Sequence, residues 1–164
     1  MTKLGTDGVG MERSGLWRIA VVGLMLSVLA VPFTLYGGGE PSIEELKDRV
    51  AKASIADRPP LCIRISERQL AAANRLYVAG DVEKWQAALA EVAAYAELAR
   101  DYAIQSHKHE KQSEIAIRKM ARKLADLKHT VAHEDQKQIQ DTIDRLERVR
   151  DDLLAAMFRK SDHK

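Results

Sequence analysis

Histidines supply the first candidate chemistry in this chain. His129 and His133 are four residues apart. On a continuous helix that spacing stacks both imidazoles on one face, where they could ligate one divalent metal; Glu134 joins only if the chain turns there. His107 and His109 are two apart and diverge on a helix. A metal site needs three or four converging ligands, so the competing reading leaves all four histidines in water. A second cluster is cationic: Arg118, Lys119, Arg122 and Lys123. It suits contact with an anionic partner or lipid headgroups, unless an acidic helix of the same chain answers it. Tyr77, Trp85, Tyr95 and Tyr102 gather near one helix junction. They either line a groove or pack the core, and the place of Trp85 on an apolar seam favours packing. Cys62 is the single cysteine, which excludes an internal disulfide and a thiolate metal cage. Its setting, Leu61-Cys62-Ile63, points to burial.

Motifs for catalysis are absent. There is no H-E-x-x-H, no G-x-S-x-G and no G-x-x-x-x-G-K-[ST]. Gly37-Gly38-Gly39 precedes Glu40-Pro41 and reads as a flexible linker, not a phosphate cradle. The pair Asp151-Asp152 sits near a helix end with no pocket implied. No catalytic residue, no cofactor and no small-molecule substrate are expected. Lys3, Arg13, Arg18, Asp7 and Glu12 precede residue 40, leaving 23 basic and 22 acidic side chains after it. That balance speaks against a nucleic-acid binder, which needs a basic excess.

The elements that must position these residues read as helices throughout. Ser42-Ile43-Glu44-Glu45 fits a capping box and starts a helix over about residues 42–57, with Ile43, Leu46, Val50 and Ala53 on one face. Arg58-Pro59-Pro60 ends it. A second helix spans about 60–79. Its beginning at 61–65 is also compatible with a short strand, but residues 66–79 are rich in helix formers. Gly80 closes it and Asp81 caps the next. Val82, Trp85, Leu89, Val92, Ala96, Ala99 and Ala103 then step by three and four. The same register continues through Ser106, Glu110 and Ser113 to Ile117, Met120, Leu124, Leu127 and Val131. With no glycine or proline in 81–131, the spacing predicts one helix of about 75 Å, with an exposed polar waist at 105–114; a loop at that waist is the alternative. A last helix over about 134–158 carries Ile139, Ile143, Leu146, Val149, Leu153 and Met157. Leu154 and Phe158 lie off its main stripe and are candidates for self-association. Residues 161–164 form a tail.

Charge suggests how these helices pair. Residues 107–128 hold seven Lys or Arg, whereas 134–152 hold seven Asp or Glu against four cations. A basic helix followed by an acidic one predicts an antiparallel hairpin. The first two helices are expected to cover Val82 to Ala103. The fold class is therefore all-α: an elongated helical bundle or hairpin with one long central helix, over residues 42–160.

Residues 19–36 are free of charge and apolar, with Arg13 and Arg18 before them and Glu40, Glu44 and Glu45 after them. As a helix the run would be about 27 Å long, at the border between a signal h-region and a short membrane anchor. Pro32 and nearby small residues favour a cleaved signal; Trp17 and Tyr36 at the two ends favour an anchor. Either way residues 1–18 stay cytoplasmic and the domain beyond the 37–41 linker is exported, to the periplasm or cell exterior or held outside an inner-membrane anchor.

Residues 76–89, Leu-Tyr-Val-Ala-Gly-Asp-Val-Glu-Lys-Trp-Gln-Ala-Ala-Leu, resemble the turn of one tetratricopeptide unit, with Ala73, Tyr77, Gly80-Asp81 and Leu89 approximating its pattern. Trp85 stands where that family packs a small residue, the closing proline is missing, and no second copy follows. The resemblance implies a helical hairpin that presents a groove to a partner, and no catalytic residues. The layout also resembles small exported bacterial helical proteins. The expected function is a non-catalytic envelope scaffold or protein interaction module. The alternative is a periplasmic metal-binding or sensing protein using His129 and His133.

Overall fold

The computed structural model describes residues 40–161. The apolar run 19–36 and most of its linker lie outside them. Every regular element among the described residues is helical.

Helix α1, Ile43–Lys52, opens on the expected capping box. The Ser42 hydroxyl accepts from the Glu45 amide at 3.1 Å, and the Glu45 carboxylate accepts from the Ser42 amide at 2.7 Å. It ends five residues sooner than its sequence pattern predicts. Ala53 and Ser54 turn extended, and a 3-10 turn, Ile55–Asp57, leads into α2, Arg58–Val78. Pro59 and Pro60 occupy the first turn of α2, where a missing amide hydrogen breaks no intrahelical bond. Residues 61–65 are helix, not strand. The α2 terminus closes through Gly80, whose φ of 75° is the left-handed value that glycine adopts without strain. Nothing lies within 4 Å of a Cβ built there, so the backbone angle alone selects glycine. Asp81 then caps α3, Val82–Ser106, by accepting from the Lys84 amide at 3.3 Å.

The single rod over 81–131 does not form. The chain breaks at His107-Lys108-His109, with His107 (φ 53°) and His109 (φ 64°) both left-handed, and resumes as α4, Glu110–Lys128. Nor is the waist exposed throughout: Glu110 and Glu114 are each 7 % exposed and Ser113 2 %, while Gln105, His107, Lys108, Lys111 and Gln112 face solvent. The apolar seam expected along residues 85–131 is present, but it folds back on itself. Each left-handed non-glycine residue costs about 1–2 kcal/mol. Burying Ile117, Met120 and Leu124 against the rest of the core returns about 1.5–3 kcal/mol per side chain, so the reversal wins. Val82, expected on the seam, is the first residue of α3 and is 48 % exposed.

After a second turn, with a 3-10 segment at His133–Asp135, α5 runs Gln136–Ser161. Its apolar face is the one predicted: Ile139, Leu146, Val149 and Leu153 are buried. Cross-helix bonds set the directions. Ser66 Oγ donates to the Val92 carbonyl at 2.6 Å, while Tyr77 stacks on Trp85, so α2 and α3 are antiparallel. Lys128 reaches Gln140 at 2.8 Å and Arg150 reaches Glu114 at 3.0 Å, so α4 and α5 are antiparallel. Glu97 to Arg145 and Arg100 to Asp152 run in the same sense, so α3 and α5 are parallel neighbours. The result is an up-down-up-down four-helix bundle in the cyclic order α2, α3, α5, α4. Helix α2 covers α3 as expected and α5 packs along α4, whereas α1 packs on α2 and reaches α3 through Lys47, at Glu91 and Tyr95. Helix α1 lies outside the four, with Leu46 fully buried and Lys47 bridging to Glu91 at 3.3 Å.

Candidate functional site

Three of the four seams of this bundle are tied by side chains. The α3–α5 seam carries a two-pronged pair, Arg145 Nε and an Nη donating to Glu97 at 2.8 and 2.9 Å, and Arg100 donating to Asp152 at 2.9 Å. That geometry holds the Glu97 carboxyl below its ordinary range, chiefly through the hydrogen bonds from Arg145. The α4–α5 and α2–α3 seams have the bonds given above. Gln69 also donates to Glu91.

The fourth seam, between α2 and α4, is open. A groove of about 380 Å³ lies between Glu67, Leu70, Ala71 and Asn74 of α2 and Met120, Lys123, Asp126 and Leu127 of α4, ending at Thr130. Its floor is aliphatic: Leu70 is 7 % and Met120 2 % exposed. Its rim is polar and exposed: Glu67, Asn74, Lys123, Asp126 and Thr130. A second, smaller depression of about 230 Å³ continues the same seam toward the helix starts, between Pro60, Ile63 and Arg64 of α2 and His109, Gln112 and Ser113. Along the stretch from Glu67 to Asn74, no hydrogen bond or ion pair crosses to α4. Sequence periodicity missed this groove because it shows which face of a helix is apolar, not which neighbour leaves part of that face uncovered. The one available signal was the small side chain of Ala71 beside Leu70.

The predicted site residues separate. Helix α4 ends at Lys128, so His129 and His133 do not share a helical face. His129 caps α4, whereas His133 opens the 3-10 turn and borders a shallow surface hollow with Lys128, Gln136 and Asp141. Among the described residues, no group of three or more His, Cys, Asp or Glu side chains is placed to hold a metal ion. His107 and His109 form the α3–α4 reversal, with His107 Nδ1 3.7 Å from Glu110 Oε1.

The basic cluster is also divided. Arg118 lies 3.6 Å from Glu114 of its own helix, while Lys119, Arg122 and Lys123 are exposed. The acidic residues of α5 do not answer them. The ion pair that joins α4 to α5 has the opposite polarity, with the acid on α4 and the base on α5. The aromatic cluster is packing and bracing. Tyr77 and Trp85 rings meet at 5.2 Å and 56°, and Trp85 is fully buried. The Tyr77 hydroxyl accepts from the Ala132 amide at 2.7 Å and donates to Asp135 at 3.1 Å, tying the α2 end to the α4–α5 turn. Tyr95 lies under Lys47 and Tyr102 under Arg58. Cys62 is fully buried, and burial pushes its thiol up to about 11, which suppresses thiolate chemistry. Leu154 is half buried, and Phe158 near the α5 end is 68 % exposed.

No protein-family model matches the chain, and no curated protein or solved structure shows significant similarity to it.

Proposed function

We propose that this chain is an exported, non-catalytic helical module whose α2–α4 groove receives another protein, as an envelope scaffold or interaction partner. The observation that carries the reading is the open seam in a bundle whose other three seams are tied. An aliphatic floor with an exposed polar rim suits contact with another chain. The apolar run 19–36 after Arg13 and Arg18 supports export. Among the described residues no helix is long and apolar enough to cross a membrane, so any anchoring falls to that run.

The test places a photo-crosslinking amino acid at Ala71 in the groove and at Ala90, on the exposed side of α3, in intact cells, with a compartment reporter fused after Lys164. The proposal expects a discrete adduct from Ala71, none from Ala90, and a reporter active outside the cytoplasm. A soluble, unprocessed cytosolic chain, or equal adducts from both positions, overturns it.

A further inference from the structure

The open groove carries charge of a particular layout. At 100° per residue along α4, Lys119 falls between Lys123 and Asp126, so Lys119 and Lys123 stand one above the other on the groove flank, about 6 Å apart along the axis. Arg122 points further round the outside of the same helix. Lys119, Arg122 and Lys123 are all exposed, and none makes an ion pair among the described residues. Arg64, bordering the smaller depression, is likewise exposed. Against these stand two acids on the rim, Glu67 on α2 and Asp126 near the α4 end. The α4 flank is therefore positive over its middle two turns. On α2, Pro60, Glu67, Ala71, Asn74 and Val78 follow one stripe at helical spacing. Val78 is 82 % exposed, so the stripe ends on an apolar side chain projecting at the groove's far end.

An occupant must match three features: an aliphatic floor between two parallel helices, a length of several helical turns, and a pair of lysines at i, i+4 on one wall. We infer that the groove receives an amphipathic helix of a partner protein. That helix presents aliphatic residues at i, i+3/i+4 and i+7 to Leu70, Met120 and Leu127, and two carboxylates at i, i+4 to Lys119 and Lys123. Such a helix repeats the roughly 6 Å spacing of the lysine pair in its carboxylates, and its apolar ridge lies along the open seam, over half-buried Leu127 and the exposed edges of Leu70 and Met120. The inference rests on the interaction-module reading and adds the chemistry of the partner.

The test uses the full chain in nanodiscs of zwitterionic lipid and fluorescently labelled synthetic helical peptides, read by anisotropy. One peptide has leucines on one face and a Glu pair at i, i+4 on its flank. The second has Lys at those two positions, and the third scrambles the first. The acidic peptide should bind about tenfold more tightly than the Lys peptide at low salt, the difference between two attractive and two repulsive half-exposed pairs. Lys119→Glu with Lys123→Glu should reverse the order. Ala71→Trp should weaken the acidic peptide about tenfold or more by filling the groove, and Ala90→Trp should leave it unchanged. Circular dichroism and unfolding curves confirm that each variant is folded. Equal binding of the acidic, Lys and scrambled peptides overturns the inference. So does binding of anionic-lipid vesicles, sensitive to Lys119 and Lys123, with no peptide binding. A cellular adduct from Ala71 combined with that negative peptide result would remove this inference while leaving the interaction module standing.

Discussion

Replacing His107 and His109 with glycine tests the reversal through the sign of a stability change. Both residues hold left-handed backbone angles, at φ 53° and 64°. Relieving that conformation recovers about 1–2 kcal/mol at each position. Glycine gives back about 0.5–1 kcal/mol through the greater freedom of the unfolded chain. The net is about 0–1.5 kcal/mol of stabilisation per site, and up to about 3 for the double variant. His109 also stands at the N-cap of α4, where glycine is well tolerated. The His107 contact to buried Glu110 at 3.7 Å is lost as well, so His109→Gly alone is the cleaner reading of the backbone effect. If residues 81–131 were instead one continuous helix, both glycines would fall in its interior. They would then cost a few tenths of a kcal/mol each, roughly 0.1–0.5, the gap between the helix propensities of histidine and glycine. Urea unfolding of the double variant beside the parent reads the difference directly. A higher midpoint at unchanged slope is expected; a lower midpoint would refute the reversal.

Tyr77→Phe removes the acceptor for the Ala132 amide and the donor to Asp135. It should cost about 1–2 kcal/mol and speed hydrogen exchange at the Ala132 amide, whereas an unchanged exchange rate would mean that the bracing bond does not exist in solution. The pH dependence of stability should carry a contribution from Glu97. Its folded-state carboxyl is depressed by Arg145, so the stabilisation is fully present above the ordinary carboxylate range and is lost as pH falls through the folded value. In Arg145→Gln the acid limb of the stability curve should flatten; identical limbs would remove the pair from the account. Cys62 should resist a maleimide at pH 8 in the folded chain and react rapidly in denaturant, because it is fully buried and its thiol is pushed up to about 11. Stoichiometric labelling of the folded chain within minutes would contradict its place in the core.

The parts of the fold that local rules govern were legible in the sequence. The capping box at Ser42, the Gly80-Asp81 turn and the apolar stripes of α3 and α5 depend on residues within a few positions of one another, and the structure has all of them. A loop at 105–114 is one of two readings of the polar waist, but local rules cannot choose it, because 107–109 contains no glycine or proline and its strain is offset by tertiary burial of Ile117, Met120 and Leu124. The expectation for His129 and His133 fails for the same kind of reason: an i, i+4 argument holds only while the helix continues, and α4 stops at Lys128. Charge counting found the α4–α5 hairpin but not its bonds. Net composition says nothing about which acid faces which base, and the bridge that forms runs from Arg150 on the acidic helix to Glu114 on the basic one. The groove belongs to none of these patterns. It arises where two helices from different hairpins become neighbours without closing.

The existence of that groove in solution is most directly tested by the distance between spin labels placed at Asn74 and Thr130, which flank it from the two sides. Pulsed dipolar spectroscopy should give a narrow distribution below roughly 30 Å, the span of two neighbouring helices with their labels. A distribution centred near about 60 Å, the separation a continuous helix through residue 131 would impose, would contradict the reversal, the open seam and the binding surface built on them.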